Sequence, residues 1–336
     1  MNSSVSSNTQ AILLLIAPLI TGRGGQSTEL LTLGEYNRLA KILRDKQREP
    51  ADLLGPEAFD LLKELQDKFD RGRLSRLLER GFLLTQALDK WQTRSIWVIS
   101  RADHEYPTRV KSRIKEFAPP VLYGCGDSTI LNTAGLAIVG SRKVDDTLVE
   151  YTESIGRLAA RSNHTVVSGG ARGIDQSAMG GALKAGGQVI GVLAENLNRL
   201  VLSRDLREYL MNNQLVLISP YDPSAGFNVG HAMQRNKIIY ALADAALVVN
   251  SDFRKGGTWA GAIEQLEKLH FVTMYVRSNG EPEKSLKALQ DKGALAWPNP
   301  SDPETFTEVI NTQGAKAKSA VEQGELWPAP NSGTTY

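Results

Sequence analysis

Between Leu136 and Arg277 the chain repeats one pattern: a short apolar run, then a stretch of helix length, then another apolar run. The apolar runs read LAIVG, TVVSG, QVIGVLA, QLVLIS, AALVVN and FVTMYV. Helix candidates lie between them near 147–161, 174–185, 203–212, 235–243 and 260–268. Strands that are apolar throughout need cover on both faces, and helices between them supply it. The pattern therefore predicts an α/β fold built on a parallel sheet with helices on both sides. In such a sheet the strand-to-helix loops gather along one edge, and ligands bind there.

One of these loops is rich in glycine. The stretch VVSGGARGIDQSAMGGALKAGG runs from Val166 to Gly187. A strand, a glycine turn and a helix start leave backbone N–H groups pointing outward, which suits an anion. Against the dinucleotide pattern G-x-G-x-x-G, residues 168–173 read Ser-Gly-Gly-Ala-Arg-Gly, so the first glycine is missing. Glu195 ends the next strand, where a ribose-binding acid would sit. Arg172 inside the turn suits a phosphate contact better than a dinucleotide site.

The neighbouring junctions carry the same chemistry. Gly140, Ser141 and Arg142 follow the LAIVG strand. Arg235, Asn236 and Lys237 are expected at the start of a helix after a long loop. Arg254, Lys255 and a second Gly-Gly pair follow AALVVN. Four junctions on one sheet edge, each with a basic residue, predict a basic crevice supplied with helix N-termini. Tyr221, Phe227 and Trp259 lie in the same loops. They are candidate platforms for base stacking, with loop anchoring as the alternative.

In order and spacing, YPTRV…APPVLYGCGD, LAIVGSR, SGGARGID…GAL…GG…IGVLA and RNKIIYALADAALVV resemble the DprA/Smf DNA-processing proteins. The resemblance covers roughly residues 10–295. It implies a small N-terminal helical domain and an extended Rossmann-like domain. It also implies single-stranded DNA in a basic strand-end pocket, and homodimers that hand the strand to a RecA-type recombinase, typically in natural transformation. By position, Ser141 and Arg142 match the family's GSR. Gly169, Gly170, Arg172 and Gly173 match its SGGARG turn, and Arg235, Asn236 and Lys237 match its RNR segment. Lys255 extends the same basic edge. Some positions depart from the family. Ala178-Met179 stands where Ala-His is usual, Phe227 is followed by Asn228 instead of Pro, and KGGTWAGAIEQLEKL is nearer to nucleotide-binding cousins. A variant role in defence against mobile DNA therefore stays open beside DNA uptake and recombination.

The flanks divide the chain into an all-helical region 1–92, the Rossmann-like region 93–280 and an extension 281–336. The first region has leucines at helical spacing. The last ends in a small, polar tail with no winged helix expected. AILLLIAPLI (Ala11 to Ile20) lacks preceding Lys or Arg and is too short to span a bilayer, so a buried helix is expected. Lys+Arg is 39 and Asp+Glu 37, a balance that makes any nucleic-acid site a local one. Cys125 is the only cysteine, which excludes an intrachain disulfide and fits a reducing cytoplasm. His104, His164, His231 and His270 show no metal-ligand spacing. No cofactor, metal or membrane contact is expected. For catalysis, only Gly256, Gly257, Thr258 and Glu264 suggest a nucleotide-cleaving element, and the spacing to the glutamate is long. Two readings remain: a non-enzymatic single-strand binder, and a nucleotide sensor or hydrolase in the same crevice.

Overall fold

A computed structural model describes residues 5–20, 29–133, 135–226, 228–280 and 283–311. Phe227 and the polar tail from residue 312 lie outside the described residues. Five helices come first: α1 (Ser7–Ile16), α2 (Leu33–Asp45), α3 (Ala58–Glu64), α4 (Arg71–Leu78) and α5 (Gly81–Gln92). Then follow β1 (Trp97–Ser100), α6 (Thr108–Ile114), β2 (Val121–Gly126), β3 (Gly135–Val139), α7 (Asp146–Arg161), β4 (Thr165–Ser168) and α8 (Ile174–Lys184). After these come β5 (Val189–Val192), α9 (Leu197–Leu200), α10 (Arg204–Met211), β6 (Leu215–Ser219), α11 (Val229–Leu242) and β7 (Ala245–Val248). The chain continues with α12 (Gly256–Glu264), β8 (Thr273–Val276), α13 (Lys284–Gln290) and β9 (Leu295–Ala296).

Among the described residues, nine strands form one sheet in the order β1-β2-β6-β5-β4-β3-β7-β8-β9. From β6 to β9 every pairing is parallel. The two strands that precede the repeat run antiparallel: β1 against β2, and β2 against β6. The sheet is thus mixed at one edge. The winding reverses between β3 and β7, which makes that position the switch point of the sheet.

Alternate residues of each strand enter two cores. Leu136, Ile138, Leu247 and Leu217 join a cluster with Ile155 of α7 and Ala178 of α8. Ala137, Val139, Val248 and Ile218 join the other, with Ile238 of α11 and Ala262 of α12. The first cluster runs on without a break into Ile12, Leu39, Leu77 and Trp91 of the N-terminal helices. Trp91 meets Tyr123 of β2 edge to face at 5.0 Å. The expected buried helix at AILLLIAPLI is α1, with Ala11, Ile12, Leu13 and Leu15 fully buried. No helix among the described residues is long and apolar enough to cross a membrane.

Two sequence expectations need correction at helix starts. α11 begins at Val229, not at Arg235, because Asn228 caps it by accepting the His231 N–H at 3.2 Å. α12 begins at Gly256, before the expected 260. The YPTRVKSRI motif proves structural. Arg113 donates to the carbonyls of Ala241 (2.9 Å) and Ala243 (2.6 Å), and Arg109 donates to that of Leu242 (3.3 Å) and pairs with Asp244 (2.7 Å). Both cations thereby satisfy the C-terminal end of α11.

Candidate nucleic-acid interface

The carboxyl ends of β3, β4 and β7 meet at the switch point, and backbone geometry ties their loops together. Gly173 enters α8 with φ +80° and ψ −129°, and a Cβ there would lie 2.5 Å from the Ser141 carbonyl oxygen. The Ile174 N–H donates to that same oxygen at 3.3 Å. The Asn250 side chain, just past β7, accepts the Ser141 N–H at 2.8 Å. Thr258 of α12 donates to the Gly140 carbonyl at 2.8 Å. Neither α8 nor α12 has a side-chain cap, since Gly173 and Lys255 occupy their N-cap positions. By contrast, α7 is capped by Asp145.

Beneath the glycine turn lies a buried charge pair. Arg235 is 7% exposed. A Cβ on Gly169 would fall 1.6 Å from its Nη1 and 2.7 Å from Oδ2 of Asp175, so the guanidinium and the carboxylate both press against this glycine. The Arg235 Nε is buried without a hydrogen-bond partner. Burial lowers the Arg235 pKa; Asp175 opposes the shift and the Arg142 charge adds to it. Burial pushes Asp175 up to about 6, against the pull of Arg235 and of the N–H groups of Ala171, Gly140 and Gly169.

The other predicted residues divide between the surface and internal contacts. Arg142, Arg172 and Lys255 are exposed along this edge. Asn236 donates to the Gly257 carbonyl at 3.1 Å and so fastens α11 to α12. Lys237 pairs with Glu264 at 3.2 Å, which commits the one candidate general base to an ion pair. Tyr221 stacks on His231 at 3.7 Å and donates to the His231 carbonyl at 3.1 Å, so one ring face is already covered. Trp259 packs edge to face on Phe253 at 5.3 Å. Arg254 and Lys284 stand over the Phe253 ring, 5.1 and 4.6 Å from its centroid. Among the described residues, no group of three or more His, Cys, Asp or Glu could hold a metal ion.

The model of the family described as DNA recombination-mediator protein A matches residues 97–302, which include β1 to β9 and every junction above. The chain belongs to that family. The resemblance read from the sequence therefore holds. The DNA processing protein DprA of Bacillus subtilis (strain 168) is 27% identical over 281 residues, covering 81% of this chain and 93% of that protein. A solved structure of DprA from Streptococcus pneumoniae superposes with a TM-score of 0.64 at 20% identity, covering 88% of this chain and 95% of that one. A structure of DNA processing protein A from Helicobacter pylori, described for its single-stranded DNA binding mode, gives a TM-score of 0.52 at 23% identity. It covers 65% of this chain and 94% of that one. At these identities the structural likeness is one of fold. For this member of the recombination-mediator family, sequence reasoning missed Asp175, Asn250 and Phe253. The first two were visible only as the ends of GID and AALVVN.

The raised Asp175 pKa has a definite sign in stability. The folded state holds this proton more tightly than an unfolded chain, whose aspartates titrate near 3.8. The group's contribution is fully present below that value and is lost as pH rises through about 6. The loss across that window amounts to about 3 kcal/mol. Asp175→Asn, which keeps the shape and cannot ionise, should remove this part of the pH dependence. Urea midpoints of both chains, measured across the acid range from below the unfolded value to above the folded one, read the difference. Parallel profiles would show that Asp175 titrates normally.

Proposed function

We propose that this chain is a single-stranded DNA-binding, DNA-processing protein. In this reading it takes the strand along the carboxyl edge of its sheet and protects it. It then delivers the strand to a RecA-type recombinase, acting as a cytoplasmic homodimer without catalysing a reaction itself. The observation that carries the reading is the buried Arg235 guanidinium under the Gly169–Gly173 turn, with its Nε unpartnered. Asp175 lies beside this cation without a direct salt bridge, and the buried donor that stays unpaired is costly, which favours a further anion at the turn. The exposed Arg142, Arg172 and Lys255 extend the positive field from that floor to the rim. A recessed site reaches a phosphate on a flexible single strand more readily than on a rigid duplex. The partly exposed Tyr221 and Trp259 rings lie along the same edge and are the candidates for stacking a base. The ion pair of Glu264 with Lys237 argues against the nucleotide-hydrolase reading.

Phosphate contacts release counterions, so affinity should fall with salt by a slope of roughly −0.7 per contact. Arg142→Ala and Arg172→Ala should each weaken binding to every sequence alike and flatten that slope by about 0.7. Circular dichroism should be unchanged, because exposed arginines contribute little to stability. Gel shifts with single-stranded DNA, duplex DNA and a mononucleotide competitor separate the readings. Folded variants with unchanged affinity and slope would overturn the phosphate assignment, and preference for the mononucleotide would favour the sensor.

A further inference from the structure

The loop after β6, residues 220–226, borders the crevice on one side and the N-terminal helices on the other. On the crevice side it carries Tyr221, which stacks on His231 and interacts electrostatically with Arg235. On the other side the loop is fastened by polar contacts. Asp222 is buried, and its carboxylate accepts the Ser224 N–H at 2.8 Å and the Ile20 N–H at 3.2 Å. Lys90 of α5 donates to the Ile20 carbonyl at 3.2 Å and to the Ser224 hydroxyl at 3.1 Å. Arg94, just beyond α5, donates to the backbone carbonyl of Asn198 at 3.0 Å and also to its side-chain oxygen. Asn198 in turn donates its backbone N–H to the Pro223 carbonyl at 3.1 Å and its amide to the Ser224 hydroxyl at 3.4 Å.

We propose that Lys90 and Arg94 are positioning residues for the strand-end crevice. Through Ile20, Ser224 and Asn198 they fix the loop that carries Tyr221, so the N-terminal helices help set the shape of a site whose residues lie on other elements. The physical reason lies in the bridging. Lys90 binds two segments at once, and Asp222 binds the same two from the opposite side. Without the ammonium, the Ser224 hydroxyl and the Ile20 carbonyl lose a charged donor, and among the described polar contacts the tie that remains to this end of α5 runs from Arg94 through Asn198. Tyr221 directly precedes Asp222, so slack in the loop moves the ring relative to Arg235. Burial raises the Asp222 pKa and Lys90 opposes it, as expected for a carboxylate that shares its pocket with this cation.

The affinity part of the test rests on the single-strand binding proposed above; the exchange part does not. The full chain is compared with Lys90→Met, Lys90→Arg and Ser224→Ala. Readouts are affinity for an oligothymidylate across a salt series and amide hydrogen exchange of residues 220–226. Lys90→Met should weaken binding about tenfold, the scale of one hydrogen bond to a charged group. Its salt slope should stay that of the parent chain, since no phosphate contact is lost, unlike Arg172→Ala. Exchange in 220–226 should quicken while that of β3 and β4 stays unchanged. Lys90→Arg should recover most of both effects. Ser224→Ala leaves α5 intact and should show the same changes in smaller measure, and it decides the matter if Lys90→Met fails to fold. Unchanged exchange in the loop overturns the proposal, as does a flattened salt slope, which would make Lys90 a phosphate ligand. If the parent chain binds no oligothymidylate, the functional reading fails and exchange alone decides the positioning role.

Discussion

Gly173→Ala is expected to lose single-stranded DNA binding by well over tenfold and to destabilise the fold. Gly173 sits at φ +80°, a region that costs a side chain about 1–3 kcal/mol. An added Cβ would also lie 2.5 Å from the Ser141 carbonyl and 2.8 Å from that of Arg142. These are backbone atoms held by Asn250 and by the Ile174 N–H, so they cannot step aside cheaply. Relief requires the β3 loop and the start of α8 to part, and both are walls of the proposed crevice. Overpacking of this kind adds about 1–3 kcal/mol. Gly180, further along the same helix, is the control, because a Cβ there meets nothing within 4 Å. Gly180→Ala should be neutral or stabilise by up to about 1 kcal/mol through helix propensity. Urea denaturation and DNA affinity of the two variants, measured together, make the comparison. If Gly173→Ala matches Gly180→Ala in both, the two loops are not coupled as described.

The second large effect is expected far from the crevice, in Arg80→Met. Arg80 is buried, and burial lowers its pKa. Its Nη2 donates to the carbonyls of Leu13 (3.4 Å), Leu14 and Ala17 (3.0 Å), and so closes the C-terminal end of α1. α1 is too apolar to expose those carbonyls to water without leaving the core. Methionine fills similar space but offers no donor. The loss should be about 2–3 kcal/mol, roughly 1–1.5 for each of the Leu14 and Ala17 carbonyls left unsatisfied, since Leu13 keeps the Ala17 N–H. Because the cluster around α1 continues under β1 and β2, unfolding should stay a single transition. A variant whose urea midpoint equals the parent's would mean that relief from burying a charge offsets the lost bonds.

Much of the molecule was legible in the chain. The strands β4 to β8 fall within the apolar runs, because a strand covered on both faces must be largely apolar, and β3 begins one residue before its run, at Gly135. The SGGARG turn was legible because backbone there has to adopt a conformation that only glycine takes without strain. The family could be named from those stretches in order. The RNK segment was misplaced for a local reason: the residues before it suggested a loop, whereas Asn228 starts the helix six residues earlier than expected. Once on a helix, three consecutive residues point about 100° apart and cannot share one ligand. Arg235 turns inward, Asn236 toward α12 and Lys237 toward Glu264.

The sequence by itself determined the alternation of strands and helices, the loops that share an edge and the glycines that shape them. These follow from local sterics and from the need to bury apolar runs. Only the tertiary structure decided which cations line the surface and which lie beneath it. It set Arg235 under Gly169 beside Asp175, made Asn250 the partner of Ser141, and bound the Tyr221 loop to Lys90 and Arg94. Each of those contacts joins residues from different strands or helices. Their charge states and exposure depend on burial by distant neighbours, which no local pattern of residues encodes.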